Sequence, residues 1–327
     1  MQDIYFDENY GKLYEKVEKG EACVFECSTE NGTIINQYIK REIPIKLDDN
    51  TYYDIVTPYG YGGPYIKECI NKEQLLKDYE EQFAKHCVDN NIVAEFVRFH
   101  PIYKNHEDFK IMYNATFNRC TLATNLELDN PVQDEFSKSC RKNIRQALNK
   151  GVTYRVTENP TNVDVFKDIY YSTMDRNNAT EYYYFDDEYF NNILKYFPKN
   201  VLLVEAIYEE KTIACGLYFK VGTTIHIHLS GTLTEYLFLS PAYILRYATT
   251  LWGKENGYKL IHHGGGRTAA EDDSLYTFKK GFAQISRCEF YLGKKIWNSD
   301  IYDNLCKVKG ISKEIDYFPA YRKEVEN

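Results

Sequence analysis

An α+β fold, with mixed sheets flanked by helices and divided into two domains, is predicted by three observations. The 327 residues exceed one compact core of ordinary size and suit two. Short apolar or alternating runs of strand type are interleaved with segments of helical spacing along the whole chain. The order strands, helix, strand, helix occurs once in each half, so domains are expected at 1–150 and 151–327. Apolar residues make up 43% of the chain, enough for packed cores.

The elements follow in order. "ACVFECS" (22–28), "TIINQYIKREIPI" (33–45) and "YYDIVTP" (52–58) read as strands, and "YGYGGP" as a turn cluster. "EQLLKDYEEQFAKHCVDNN" reads as a helix with Leu75, Leu76, Tyr79, Phe83 and Cys87 on one face. His86 shares that face and reads as a core histidine. "IVAEFVRFHP" (92–101) is a strand closed by proline. Over 130–151 the spacing predicts one helix, with Val132, Phe136, Cys140, Ile144 and Leu148 as its seam. Pro131 suits its first turn and Gly151 its C-terminal cap. Lys138, Arg141, Lys142 and Arg145 form a basic stripe away from the seam, either a solvated face or a phosphate clamp.

The pattern then restarts. "VTYRVT" is a strand, 162–177 and 186–197 are helical, and 201–208, 212–221 and 223–231 form a meander joined by short turns. His226 and His228, two apart on a strand, share one face. With no third ligand in view, that reads as a half-buried face rather than a metal site. "SPAYILRYATTLWGKENG" is a long helix, "YKLIHHGGG" an inner strand, "DDSLYTFKKGF" a helix and "SRCEFYLG" a closing strand.

Bulk properties narrow the function. A net charge of −8 disfavours general coating of nucleic acid. The charged N-terminal segment is unlike a signal peptide, and no apolar run reaches the ~18 residues of a membrane span. The nine cysteines are scattered without a CxxC pair, as expected for reduced thiols in the cytoplasm, and no metal site is expected. Thirty-one tyrosines suit broad clefts, or reflect composition alone.

The stretch "HHGGGRTAAEDDSLYTFKKGF" carries the chemistry. Gly264, Gly265 and Gly266 follow a strand and permit close approach to the backbone or positive φ. Neither GxGxxG nor GxxxxGK[ST] is present, so dinucleotide and P-loop folds are not supported. Asp272 or Asp273 can cap the next helix. At 100° per residue, Leu275, Phe278 and Phe282 share an arc that includes Lys279, while Lys280 points away. An inward lysine needs a carboxylate, a ligand or a cleft.

These residues resemble the C-terminal signature of FemAB-like peptidyltransferases and their acyltransferase relatives in the GNAT superfamily. "TPYGYGGP", "EFVRFHPIYKN", "SKSCRKNIRQALNKGV" and "HIHLSGTLTEYLFLSPAYIL" also resemble parts of these proteins, over about residues 50–295. The resemblance implies tandem GNAT-like domains and transfer of an acyl or aminoacyl group to an amine, often on a cell-envelope precursor. It implies a donor that is an aminoacyl-tRNA or an acyl-CoA, with no tightly bound cofactor. The implied partners are a small-molecule, lipid-linked or nucleotide-linked glycan acceptor and, for the first donor, charged tRNA. The signature's Phe-Lys pair falls on Phe278 and Lys279. The helical arm of the best-known cell-wall members and the Arg/Gln-x-x-Gly-x-Gly/Ala loop of acetyl-CoA enzymes are both missing.

Acyl transfer to an amine passes through an oxyanion, which Lys279 is expected to stabilise beside backbone of Gly264, Gly265 and Gly266. Asp273 and His263 are candidates to take the amine's proton, with Asp272 and His262 as their neighbours. Candidate substrate contacts are Phe278, Ser230 in the approach to the site, Arg98, Tyr59 and Tyr61 on an acceptor side, and Arg141 and Arg145 for a phosphate. The rival readings are an acyl-CoA-dependent acetyltransferase of surface-polysaccharide amino sugars, and a non-catalytic GNAT pair that binds a glycan precursor.

Overall fold

The computed structural model describes residues 3–270 and 272–324. Helices α1 (Glu8–Lys12) and α2 (Glu15–Glu18) precede strands β1 (Gly20–Thr29), β2 (Gly32–Glu42), β3 (Tyr53–Val56) and β4 (Tyr65–Cys69). Helix α3 (Lys72–Asp89), strand β5 (Ile92–Arg98), helix α4 (His106–Phe109) and strand β6 (Thr116–Asn125) follow. Helices α5 (Pro131–Glu135) and α6 (Lys138–Asn149) lead to β7 (Thr153–Glu158), α7 (Asp164–Arg176) and α8 (Asp187–Tyr196). The meander is β8 (Val201–Tyr208), β9 (Lys211–Val221) and β10 (Thr224–Thr232). The remaining elements are α9 (Pro241–Glu255), β11 (Leu260–Gly264), α10 (Ser274–Lys280), β12 (Arg287–Ile296) and α11 (Ser299–Lys309).

The chain forms two compact units. An inserted unit comprises 119–288 with Asp3 and Ile4, and a split unit comprises 5–118 with the residues from 289 onward. These boundaries differ from the expected 1–150 and 151–327. The reason is long-range: β12 pairs antiparallel with β5, Leu292 opposite Arg98, so the split unit takes a strand from far along the chain.

In the split unit the strand order is β1-β2-β3-β5-β12, with β4 also on β2. All these pairs are antiparallel except β3 with β5. Its core gathers Leu75, Tyr79, Phe83 and Cys87 from the predicted face of α3 with Ile34, Ile55 and Val97 of the strands. His86 accepts this setting through a 2.8 Å bond with the Tyr38 hydroxyl.

In the inserted unit the order is β6-β11-β10-β9-β8-β7, antiparallel except for β10 with β11. The expected meander is present. Helices α6 and α9 contribute Cys140, Ile144, Ala147, Ile244, Leu245 and Ala248 to the core. Gly231 is required where β10 meets α7, because a Cβ there would lie 2.6 Å from the carbonyl oxygen of Ile169.

Two local expectations are corrected. The helix over 130–151 is two helices, because Phe136 and Ser137 take extended backbone and Ser137 caps α6 by accepting from the Cys140 amide. The shared face of His226 and His228 is broken by a register shift between Ile227 and Leu229. His226 then pairs with Asp3 at 3.0 Å, whereas His228 meets the Tyr189 hydroxyl at 2.7 Å. Among the described residues, no helix is long and apolar enough to cross a membrane.

Candidate active site

The parallel register of β10 and β11 runs over Thr224–His226 and Leu260–His262. Beyond it, β10 shifts against β9, and β11 shifts against β6 between His262 and Gly264. The pairing of the two parallel strands ends at His226 and His262 although both run on, and such carboxyl ends are places where polar groups can gather off the sheet. The glycines begin at this point. Gly264 has φ +74°, and a Cβ on Gly266 would lie 2.6 Å from Oδ1 of Asp273.

The two histidines of β11 are both buried and point to different hydroxyls. His262 Nε2 lies 2.9 Å from Thr121 Oγ1, and His263 Nε2 lies 2.8 Å from Thr124 Oγ1. Thr124 donates its only hydroxyl proton to the Phe282 carbonyl at 2.7 Å. Its oxygen must then accept from His263, which assigns the Nε2–H tautomer and leaves Nδ1 as an acceptor. That Nδ1 is buried and has no hydrogen-bond partner among the described residues. Burial, with Arg246 and Lys279 adding positive charge, holds the imidazole neutral well below its usual range.

Asp273, rather than Asp272, is the cap of α10. Its Oδ1 accepts from the Tyr276 amide at 2.8 Å, and its Oδ2 accepts from the amides of Arg267 and Thr268, each at 3.0 Å. Burial pushes its pKa up, but these amides and the Thr268 hydroxyl outweigh that and hold it below the ordinary carboxylate value. Its oxygens thus serve to fold the glycine loop back onto the helix.

On α10 the helical arc is as expected: Phe282 is buried, Phe278 and Lys279 are half-buried, and Lys280 is exposed. Phe278 packs edge-on against Tyr243 and Phe282, with centroids 5.3 and 5.1 Å away. Lys279 Nζ donates to the Gly265 carbonyl at 2.7 Å. Its pKa is pushed down to about 7, first by burial, then by Arg246 and Arg119, with Asp273 opposing. Arg119 binds the same loop, donating to the carbonyls of Gly266 at 3.0 Å and Thr268 at 2.6 Å.

The residue that sequence reading missed is Arg246, on α9. It is 5% exposed, and Nη1 donates to the Tyr218 hydroxyl at 2.5 Å. Its Nε is buried without a partner, and no carboxylate pairs with it among the described residues. Ser230 stands 3.4 Å from the same Tyr218 hydroxyl. The signal was present as one arginine between Leu245 and Ala248 on the apolar face of "SPAYILRYATTLW". Arg119, Thr124 and Tyr218 carry no comparable local signal.

The other candidates make different contacts. Arg141 is held by the carbonyls of Gln133 and Phe136, so it caps α5, while Arg145 is exposed. Arg98, Tyr59 and Tyr61 belong to the split unit. There Arg98 donates to the Thr57 carbonyl at 2.9 Å and Tyr61 packs edge-on against Tyr5 and Phe290. The Tyr59 carbonyl accepts from Tyr10.

Comparison with known proteins agrees with the resemblance read from the sequence. The FemAB family model matches residues 99–212, a segment that includes α6 and stops short of the glycine loop. The UDP-N-acetylmuramoylpentapeptide-lysine N(6)-alanyltransferase of Weissella viridescens is 24% identical over 177 residues, 53% of this chain. The match spans about half, 51%, of that curated relative's length. Among solved structures, FemX superposes with a TM-score of 0.67 over 92% of this chain and 94% of its own, at 13% identity. The C-terminal domain of a putative lysylphosphatidylglycerol synthetase from Agrobacterium fabrum gives 0.59 at 12% identity, over 94% and 92%. L-PGS from Bacillus licheniformis gives 0.56 at 12% identity, over 95% and 98%. The chain is FemAB-like in sequence, and its α+β architecture of mixed, helix-flanked sheets is the fold these structures share.

Proposed function

We propose that this protein transfers an aminoacyl group to an amine of a cell-envelope precursor, with Lys279 stabilising the oxyanion of the tetrahedral intermediate. One observation carries the reading. Lys279 is gathered with the buried Arg246 where the pairing of β10 and β11 ends, and no carboxylate pairs with Arg246 among the described residues. Surplus positive charge in a poorly hydrated site suits negative charge that develops only during reaction. The FemAB resemblance and the alanyltransferase name of the Weissella relative support an aminoacyl donor, for which charged tRNA is proposed, and a muropeptide amine as acceptor. The acyl-CoA donor gains no such support.

In the proposed reaction the acceptor nitrogen attacks the donor's ester carbonyl. A C–N bond forms, the ester C–O bond breaks, and one proton passes from nitrogen to the departing alkoxide. The protonated Lys279 faces the oxyanion and can hand a proton to the leaving oxygen, since its pKa near 7 keeps both forms populated at neutral pH. Of the two bases expected from sequence, His263 retains an unengaged Nδ1, whereas the Asp273 oxygens already accept several hydrogen bonds. Phe278 and Ser230 are proposed to line the donor's path. Arg145 is the better phosphate contact of its pair, and Arg98, Tyr59 and Tyr61 are proposed as substrate contacts of the split unit.

The test is incubation with alanyl-tRNA or acetyl-CoA and UDP-N-acetylmuramoylpentapeptide, reading product mass. Lys279→Ala should lower kcat by about 10²–10³ with donor binding retained. Unchanged turnover in that variant, or product from acetyl-CoA alone, would remove the reading.

A further inference from the structure

A second surface of the inserted unit carries an unusual combination of groups. Residues 137–150 contain Lys138, Arg141, Lys142, Arg145 and Lys150 and no acidic residue, in a chain whose net charge is −8. At 100° per residue, Lys138, Arg141, Lys142 and Arg145 fall within about 100° of arc, opposite the buried Cys140, Ile144 and Ala147. Lys138, Lys142 and Arg145 are exposed.

The stripe leads to an apolar tip. Between β10 and α9, the 3-10 turn Thr234–Leu239 leaves two consecutive large side chains in solvent, Leu237 at 47% and Phe238 at 66% exposure. Lys150, at the end of α6, places its Nζ 5.6 Å from the centre of the Phe238 ring, so a cation of the same segment stands beside the tip. Lys211 sits 5.0 Å from the neighbouring Tyr236 ring and forms a 3.6 Å ion pair with Glu235. The tip is held firmly. Leu239 is buried in the core, and Arg176 ties the Thr232 carbonyl and the Thr234 hydroxyl at 2.7 and 3.0 Å.

We propose that this surface rests on an anionic lipid bilayer, with Lys138, Lys142 and Lys150 at the headgroups and Leu237 and Phe238 entering the acyl boundary. Charge complementarity alone would also fit a nucleic-acid backbone. Two adjacent apolar side chains decide for lipid, because Leu237 gains nothing from phosphates or from stacking, whereas a bilayer rewards apolar burial beside basic groups. The inference is independent of the chemistry at Lys279. It goes beyond the proposed transfer by supplying a location for an acceptor carried on a lipid.

Flotation of the full chain with vesicles tests it. Wild type should bind vesicles of phosphatidylcholine mixed with phosphatidylglycerol, and bind phosphatidylcholine alone far less. Each cation near the surface contributes about fivefold, so Lys142→Gln with Lys150→Gln should weaken binding about 30-fold at low salt. Leu237→Ser with Phe238→Ser should weaken it at every salt concentration. All four positions are exposed, and an unchanged melting temperature will show that the variants are folded. Equal affinity for both vesicle types, or variants that bind like wild type, would overturn the proposal. So would tight binding of uncharged tRNA that depends on Lys142 and Lys150 but not on Leu237 and Phe238, which would give the surface to RNA.

Discussion

Replacing Arg246 by Met should return part of the basicity that Lys279 has lost. The guanidinium is buried, and its one hydrogen bond among the described residues is to Tyr218, so Met keeps the apolar stem while deleting the charge. The Lys279 pKa stands at about 7 against an ordinary 10.5, with burial as the first cause and Arg246 as the second. Burial persists in the variant, so the expected recovery is about one unit, or ~1.4 kcal/mol. Raising the pKa from about 7 to about 8 lowers the free-amine fraction at neutral pH about fivefold. The assay is competitive labelling of amines with trinitrobenzenesulfonate across pH, read by mass spectrometry of the peptide that carries Lys279, and it needs no substrate. Wild type should label with a midpoint near 7, Arg246→Met near 8, and Arg246→Lys close to wild type. A wild-type midpoint near that of a free lysine, or no change in Arg246→Met, would refute the electrostatic account of the site.

Lys279→Met should raise stability below about pH 7. The unfolded chain binds more protons than the folded one between about 7 and 10.5, so the ammonium's burial is a cost that is full below that window and relieved across it. A gain of order 2 kcal/mol, allowing for partial exposure, should appear as a raised melting temperature, together with loss of the proposed transfer. Glu95, in the split unit, is buried and pushed up to about 7, mainly by desolvation, although it accepts from Asn36 and Trp297 at 2.8 and 3.1 Å. Here the folded state binds more protons, so stability should fall as pH rises from about 4.5 to 7. Glu95→Gln should flatten that slope, worth roughly 3 kcal/mol at most, in urea titrations at acidic and alkaline pH. Gly231→Ala should cost about 1–3 kcal/mol, measured by denaturant unfolding, because its Cβ meets the backbone of α7 rather than a movable side chain.

What was legible locally came from periodicity. The inward turn of Lys279 needs only the spacing of Leu275, Phe278 and Phe282, whereas the place before "SLYTF" offers Asp272 and Asp273 alike as caps and only the structure selects Asp273. The meander of β8, β9 and β10 was visible from its short polar turns. The break between α5 and α6 is hidden in the sequence, although Ser137 is a good cap, because the apolar seam runs through it without Gly or Pro. The bulge at 227–229 has no glycine to mark it. Arg246 is illegible in the sequence because its role depends on what surrounds it, namely Tyr218 from β9 and Lys279 from α10, which no window of neighbouring residues contains. The unit boundaries failed for the same reason, since β12 belongs to β5 only after the chain returns.

That return sets a timetable for the ribosome. Strand β5 is paired with β3 on one side, and its other side waits for Leu292–Ile296 to meet Ala94–Arg98. Nearly two hundred residues must be translated in the meantime, which at typical elongation rates leaves an apolar strand edge bare for about 10–40 s. A nascent chain halted after residue 288 would hold a contiguous stretch for the inserted unit and an unfinished sheet in the split one. Chaperone capture should therefore fall on the N-terminal segment, where Ile92, Val93 and Val97 lie in the waiting strand.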